Sequence, residues 1–226
     1  MDAIDSKNRL DFRASNLREV PDEVFSYPDI QELNLTNNLI SDLPKNFATL
    51  KSLRVLHLNM CSFDRIPECI FELKDLEELH MSANFLKQID PRIAQLKKLR
   101  VLDLGNGLEN KNEITEIPEI LFTMTSLEEL DLDENPIQEI SDKIGNLENL
   151  KVLSLREVPA KVSLDEVSRL KKLESLTLGP LYDEMNPELI DCLKKLVNLK
   201  EVELPLKDAN EWENAKRLFA HLKIWW

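Results

Sequence analysis

The amino-acid sequence predicts an α/β solenoid, in which a short strand and a return segment repeat along the chain. Three observations carry this prediction. The apolar spacing of residues 30–52 returns after 23 residues and then once more, and a fixed period of this length is typical of solenoids. Each copy holds two apolar residues two positions apart, such as Leu33 and Leu35, which places both on one face of a strand. A proline at a fixed place, as at Pro44 and Pro67, then favours an irregular return.

Each repeat follows the pattern L-x-x-L-x-L-x-x-N/C-x-L, first complete in residues 30–40. This pattern resembles the leucine-rich repeat family. The 23-residue period with I-P-x-x-I is similar to intracellular Ras-suppressor-like repeats, to plant intracellular Ras-group-related repeats and to bacterial proteins of the same class. The resemblance implies a horseshoe with a parallel β-sheet on its concave side. Its convex side is then expected to be irregular or 3₁₀-helical.

The repeats can be followed in order along the chain. A degenerate first repeat begins at Leu10, and the next three keep the 23-residue period. The fifth carries five extra residues in the stretch 105–111, GNGLENK, and the sixth is regular again. Repeats seven to nine drift from the pattern. We therefore expect a lead-in at 1–9, a solenoid of about nine repeats at 10–204 and a C-terminal helical cap at 205–226.

Towards the C-terminus the return segments change character. Residues 163–172 open with a capping-box spacing, residues 186–198 place Pro187 at a helix start, and Asp208 begins a third helical pattern. The convex side is therefore expected to become α-helical. We expect the three tryptophans, Trp212, Trp225 and Trp226, to supply apolar area to the cap. The alternative is that Trp225 and Trp226 contact a following domain.

A polar residue follows each strand at a fixed place. Its amide or thiol is expected to bond the backbone of adjacent repeats, as a buried polar group requires. The predicted ladder consists of Asn38, Cys61, Asn84, Asn112 and Asn135. At Val158 and Leu181 the polar side chain is lost, so the last repeats must satisfy their turns differently.

Charge and composition limit the partners and the setting. The net charge is −13, which argues against nucleic acid and anionic membrane and favours a protein with a basic or mixed surface. The first residues lack the pattern of a secretory signal, and no run of about 18 apolar residues spans a membrane. Three scattered cysteines favour a reducing, cytoplasmic setting. We expect a monomer.

The resemblance implies that a partner binds the concave face, so the outward strand residues are the candidate partner-binding site. The selected residues are His57, Glu78, His80, Asp103, Glu129, Asp131, Asp133 and Arg156. One acidic group consists of Asp103, Glu129, Asp131, Asp133 and Glu134. Its like charges repel one another, and a basic partner would relieve that repulsion. The alternative is a solvated acidic face.

Two further features have open interpretations. His57 and His80, with Asp103 next in the row, are candidates for a weak metal site or a pH-sensitive pair, or are ordinary polar residues. No metal ligand set is assigned. The 105–111 insertion lies at a rim and is either a functional edge or tolerated drift.

The sequence holds no G-x-S-x-G, P-loop, H-E-x-x-H or C-x-x-C motif, and no cofactor is expected. We therefore predict a non-enzymatic protein-interaction module. One alternative is the recognition domain of a bacterial effector, secreted into a host cell, or of an immune-type receptor. The other is a weak metal-binding protein that uses His57 and His80.

Overall fold

A computed structural model describes residues 8–107, 110–182 and 184–225. The chain divides into two compact units, Met1–Ile114 and Thr115–Trp226, which we call unit 1 and unit 2. Each unit is a series of parallel strands with short helical returns, so the predicted fold class is confirmed. The predicted boundaries at residues 9 and 204 stay a prediction.

Unit 1 contains five three-residue strands that pair in parallel, each with the next along the chain. They are Arg9–Asp11 (β1), Glu32–Asn34 (β2), Val55–His57 (β3), Glu78–His80 (β4) and Val101–Asp103 (β5). The middle residue of every strand is a fully buried leucine. Since side chains alternate along a strand, the first and third residues of each strand point away from the core.

Unit 2 repeats this arrangement with five more parallel strands. They are Glu129–Asp131 (β6), Val152–Ser154 (β7), Ser175–Thr177 (β8), Glu201–Glu203 (β9) and Lys223–Trp225 (β10). Leu130, Leu153, Leu176 and Val202 are fully buried in the middle of the first four. The core of each unit therefore lies between its strands and its return segments.

Most return segments are 3₁₀ helices of three to five residues. They span Asp22–Ser26, Lys45–Thr49, Glu68–Glu72 and Pro91–Gln95 in unit 1, and Glu119–Thr123, Asp142–Asn146 and Pro180–Tyr182 in unit 2. The proline of the I-P-x-x-I pattern lacks an N–H, but its carbonyl accepts a hydrogen bond from the N–H of the residue three positions later. Ile70 donates to the Pro67 carbonyl at 3.0 Å, and Phe47 donates to Pro44 at 2.8 Å. Both side chains are thereby turned into the core and are fully buried.

Three α-helices lie in unit 2, as the convex-side prediction requires: Leu164–Val167 (α1), Pro187–Lys195 (α2) and Ala209–Leu218 (α3). Each begins after a side chain that accepts from a free backbone N–H. Ser163 accepts from Glu166, Asn186 accepts from Leu189, and Asp208 accepts from Asn210 and Glu211. None of the described helices is long and apolar enough to cross a bilayer.

The stretch after α3 contains a strand that the sequence analysis did not predict. Residues of β10 pair in parallel with β9, so that Lys223 lies opposite Glu201 and Trp225 opposite Glu203. Trp225 was expected in the core of a cap. It is 49% exposed instead, because it occupies an outward position of β10. Trp226 lies outside the described residues.

Candidate functional site

The predicted ladder side chains lie in the core, directly after the strands. All five are buried. Asn84 accepts from the N–H of Phe63 at 3.1 Å and donates to the carbonyls of Leu58 and Met81 at 2.8 and 3.1 Å. The Cys61 thiol donates a hydrogen bond to the Leu35 carbonyl at 3.3 Å. The Asn84 side-chain amide thus links its own turn to the preceding repeat through both its oxygen and its nitrogen. The Cys61 thiol replaces only part of these hydrogen bonds.

Residues in the left-handed region precede several ladder positions. Met60 has a φ of 54° before Cys61, and Ala83 has a φ of 51° before Asn84. Left-handed backbone costs a residue with a Cβ about 1–2 kcal/mol. No sequence signal marks these positions, because glycine or asparagine would be the usual choice.

Where the polar ladder residue is lost in unit 2, a tyrosine takes over part of its role. Val158 is buried at the ladder position. The Tyr182 hydroxyl, also buried, accepts from the N–H of Val162 at 2.8 Å and donates to the carbonyl of the same residue at 2.6 Å. Sequence analysis missed this role, since Tyr182 lies outside the repeat pattern.

The described part of the 105–111 insertion folds back against unit 1. The Asn110 amide donates to the Cys61 carbonyl at 2.9 Å, and Asn106 exchanges hydrogen bonds with the Asn112 backbone. Leu108 and Glu109 lie outside the described residues. The insertion therefore has fixed contacts on both sides of its central residues, and both interpretations of its role stay predictions.

In unit 1, His57 and His80 form the centre of a charged group on the outward strand face. The two imidazole rings are stacked, with centroids 4.5 Å apart and an angle of 18° between the planes. His80 Nδ1 lies 3.3 Å from Asp103, and His80 Nε2 lies 3.6 Å from Glu78. Glu78 is also 3.3 Å from Arg100. The predicted site residues of this unit are thus brought together and are paired with one another.

Metal binding finds no support in this geometry. Among the described residues, no group of three or more His, Cys, Asp or Glu side chains is arranged to hold a metal ion. His57 and His80 face each other through their ring planes, whereas a metal would need ring nitrogens that converge.

The two histidines differ in proton affinity. Burial, followed by the positive charge of protonated His80, lowers the pKa of His57 to about 4. Burial alone would lower the pKa of His80 too, but the hydrogen bonds and charges of Asp103 and Glu78 outweigh it. The pKa of His80 is therefore raised overall, and His80 accepts the first proton.

We expect an NMR titration to give a protonation midpoint of about pH 4 for His57 and one above 6.5 for His80. His57 binds a proton more readily in the unfolded chain, so it reduces stability as the pH falls from 6.5 towards 4. The stabilisation from His80 is fully present below pH 6.5 and is lost as the pH rises through its raised pKa. His57→Gln should therefore reduce the loss of Tm on acidification.

His80→Gln is the matched control, because it removes the neighbouring charge and should raise the His57 midpoint. Equal midpoints for both histidines in the wild-type protein would contradict the pairing of His80 with Asp103 and Glu78.

Three carboxylates of the predicted acidic group on unit 2, those of Asp133, Glu129 and Asp131, differ in their hydrogen bonds and ion pairs. Asp133 is buried and accepts from the Ser154 hydroxyl at 2.6 Å and from the Arg156 N–H at 2.7 Å. The Arg156 guanidinium lies 3.1 Å from Asp133 and 3.7 Å from Glu203. The expectation of an unrelieved negative charge is therefore wrong for Asp133, because Arg156 neutralises it.

Glu129 and Asp131 flank the buried Leu130 on β6 and point outward. Asp131 accepts from the Asp133 N–H at 2.9 Å. Glu129 is exposed, and its carboxylate has no ion-pair or hydrogen-bond partner in the described part of the chain. Unit 2 thus presents an available negative charge, whereas Glu78 and Asp103 in unit 1 are paired with the chain's own cations and histidines.

The three cysteines are unpaired thiols with little nucleophilic character. Burial raises the pKa of Cys61 and of Cys69 to about 11 and that of Cys192 to about 12. A thiol reacts as its thiolate, so these values disfavour covalent catalysis near neutral pH.

Comparison with known proteins identifies the class to which this fold and face belong. A family model described as leucine rich repeat matches residues 8–63 and 74–137, which is more than half of the chain. The chain therefore belongs to the leucine-rich repeat family. No curated protein sequence matches it.

Several solved structures share the fold. A leucine-rich repeat protein of Leptospira interrogans is 25% identical, with a TM-score of 0.57, over 96% of this chain and 72% of that one. The ectodomain of the Arabidopsis thaliana receptor kinase GASSHO1/SCHENGEN3, solved with CASPARIAN STRIP INTEGRITY FACTOR 2, is 21% identical, with a TM-score of 0.69, over 88% of this chain and 24% of that one.

The Arabidopsis HAESA ectodomain, in complex with an IDA peptide hormone, is 24% identical, with a TM-score of 0.68. That match covers 86% of this chain and 37% of the HAESA chain. The chain thus spans well under half of either plant ectodomain, and these two likenesses concern the fold alone.

Proposed function

We propose that this protein is a non-enzymatic interaction module that binds a protein partner through the outward strand face, the concave face expected from the repeat pattern. The observation that carries the proposal is the exposed, unpartnered carboxylate of Glu129 on β6 in unit 2. An available negative charge on a face of short, rigid strands favours a partner with a basic or mixed surface. The GASSHO1/SCHENGEN3 and HAESA ectodomains, which share this fold, were solved with CASPARIAN STRIP INTEGRITY FACTOR 2 and an IDA peptide hormone, and the proposal takes a binding role from that analogy.

Further observations agree with a binding role and with the proposed cytoplasmic setting. The raised pKa values of the three thiols support an absence of covalent chemistry. Unpaired cysteines are typical of a reducing compartment. The negative charge of the chain as a whole favours a cationic partner surface over nucleic acid.

Affinity capture from a lysate of the native source, analysed by mass spectrometry, tests the proposal. We expect a partner captured by the wild-type chain to be lost with Glu129→Lys, since the reversal places a repulsive charge on the binding face. Asp133 is left unchanged because its ion pair with Arg156 supports the fold.

Glu139→Lys is the matched control for this capture. Glu139 is exposed in the return segment that follows β6 and carries the same charge. Both variants should keep the wild-type circular dichroism spectrum. A partner that is lost with Glu139→Lys and retained with Glu129→Lys would move the binding surface to the return side.

A further inference from the structure

The outward face of unit 2 extends onto the unpredicted strand β10. The register places Trp225 in one row with Glu203, Thr177, Ser154 and Asp131. Trp225 is 49% exposed, and the Lys223 ammonium lies 4.1 Å from the centroid of its ring. A cation over a tryptophan ring is attracted to it, so Lys223 holds the indole in a defined orientation. Unit 2 thus presents an oriented aromatic side chain on β10, four strands away from β6.

On β7 and β8, between β6 and β9, most outward side chains are small. Ser154, Ser175 and Thr177 occupy three of the four outward positions on β7 and β8. Gly179 follows β8 and is buried, and a Cβ there would lie 2.1 Å from the Val158 carbonyl oxygen. The chain therefore cannot place a larger residue at Gly179. The result is a low surface over β7 and β8, with Glu129 on one side and the β9 carboxylates Glu201 and Glu203, followed by Trp225, on the other.

The charge of this surface is predominantly negative. Four of the ten outward strand positions in unit 2 are carboxylates, namely Glu129, Asp131, Glu201 and Glu203. Lys223 is the only cation among these ten positions, and its ammonium is 3.8 Å from Glu201. Glu203 lies 3.7 Å from Arg156. The excess of negative charge is therefore greatest at the β6 end, where Glu129 has no partner in the described chain.

We propose that this surface binds an extended, cationic segment of a partner protein that crosses the strands from β6 to β10. A lysine or arginine of the segment pairs with Glu129, and an aromatic or aliphatic side chain packs on Trp225. The low surface of small side chains accommodates an extended backbone and offers no deep pocket for a compact ligand. This inference rests on the proposed function and specifies its partner.

The strand spacing sets the distance between the two anchors. Four steps of about 4.8 Å separate β6 from β10, which gives about 19 Å. An extended chain advances about 3.3 Å per residue, so the cationic and the apolar side chains should be about six residues apart. This spacing distinguishes the proposed segment from basic peptides in general.

Selection from a phage-displayed library of random dodecapeptides on the full chain tests the inference. We expect enriched peptides to carry Lys or Arg about six residues from an aromatic or aliphatic residue. Synthetic versions should bind at least about tenfold more weakly to Trp225→Ala and to Glu129→Gln. Leu218→Ala is the control, because Leu218 is a 40% exposed apolar side chain on α3, away from the strands.

The possible outcomes separate the inference from the proposed function. Peptides that bind wild type and Trp225→Ala equally, but lose affinity with Glu129→Gln, would overturn the two-anchor segment and leave a binding role for the strand face. An absence of enriched peptides would overturn the inference as well. If the lysate partner is also unaffected by Glu129→Lys, the proposed function fails with it.

Discussion

Leu79→Ala is expected to lower the free energy of unfolding by about 2–5 kcal/mol, the usual cost of a large-to-small change that leaves a cavity in a packed core. Leu79 is fully buried in the middle of β4, and its strand neighbours Leu56 and Leu102 are fully buried as well. All three are held in register by the paired backbones, so collapse of the surroundings into the space is restricted. Urea unfolding followed by circular dichroism measures the change.

Leu39→Ala is the control for Leu79→Ala in the same unit. Leu39 is 44% exposed, so its truncation should change the free energy of unfolding by less than about 0.5 kcal/mol. Equal unfolding midpoints for Leu79→Ala and the wild type would contradict the packing described for β4.

Asn84→Ala is expected to cost about 1–3 kcal/mol, because it leaves buried backbone groups without their partners. The Phe63 N–H would lose its acceptor, and the Leu58 and Met81 carbonyls would lose a donor. Asn84 is fully buried, so water cannot replace these bonds without disturbing the turn. The same urea experiment gives the magnitude.

Asn84→Cys provides a graded comparison for the ladder. Cys61 occupies the equivalent position of the preceding repeat and retains one bond to a carbonyl. We expect Asn84→Cys to lose less stability than Asn84→Ala, and Asn46→Ala, at an exposed position, to be nearly neutral. A neutral Asn84→Ala would show that the ladder amide contributes no net stability.

The fold could be predicted largely from the sequence because its determinants are local and repeated. The middle leucines of β1 to β8, the prolines that precede or begin most 3₁₀ returns and the Ser163, Asn186 and Asp208 caps all act within a few residues. Each repeat of the pattern provides independent support for the same strand and turn. A signal of this kind specifies the elements and their register before any long-range contact is known.

Features that depend on particular long-range partners could not be predicted. The pattern ends before β10, so only its pairing with β9 places Trp225 on the outward face. The repeat pattern predicts that Asp133 points outward, but the side chain is buried. Its carboxylate is bound by Arg156, which lies 23 residues later in the chain. The distribution of free and neutralised charge in the candidate site therefore required the structure, and the role of these residues in binding stays a prediction.

A photocrosslink to the captured partner tests the central claim, that the outward strand face of unit 2 is the binding surface. The photoreactive residue p-benzoylphenylalanine would replace Val152, which is outward and half-buried on β7, or Glu139 in the return segment after β6. We predict a partner adduct from position 152 and none from position 139. An adduct from position 139 alone would contradict the proposed surface.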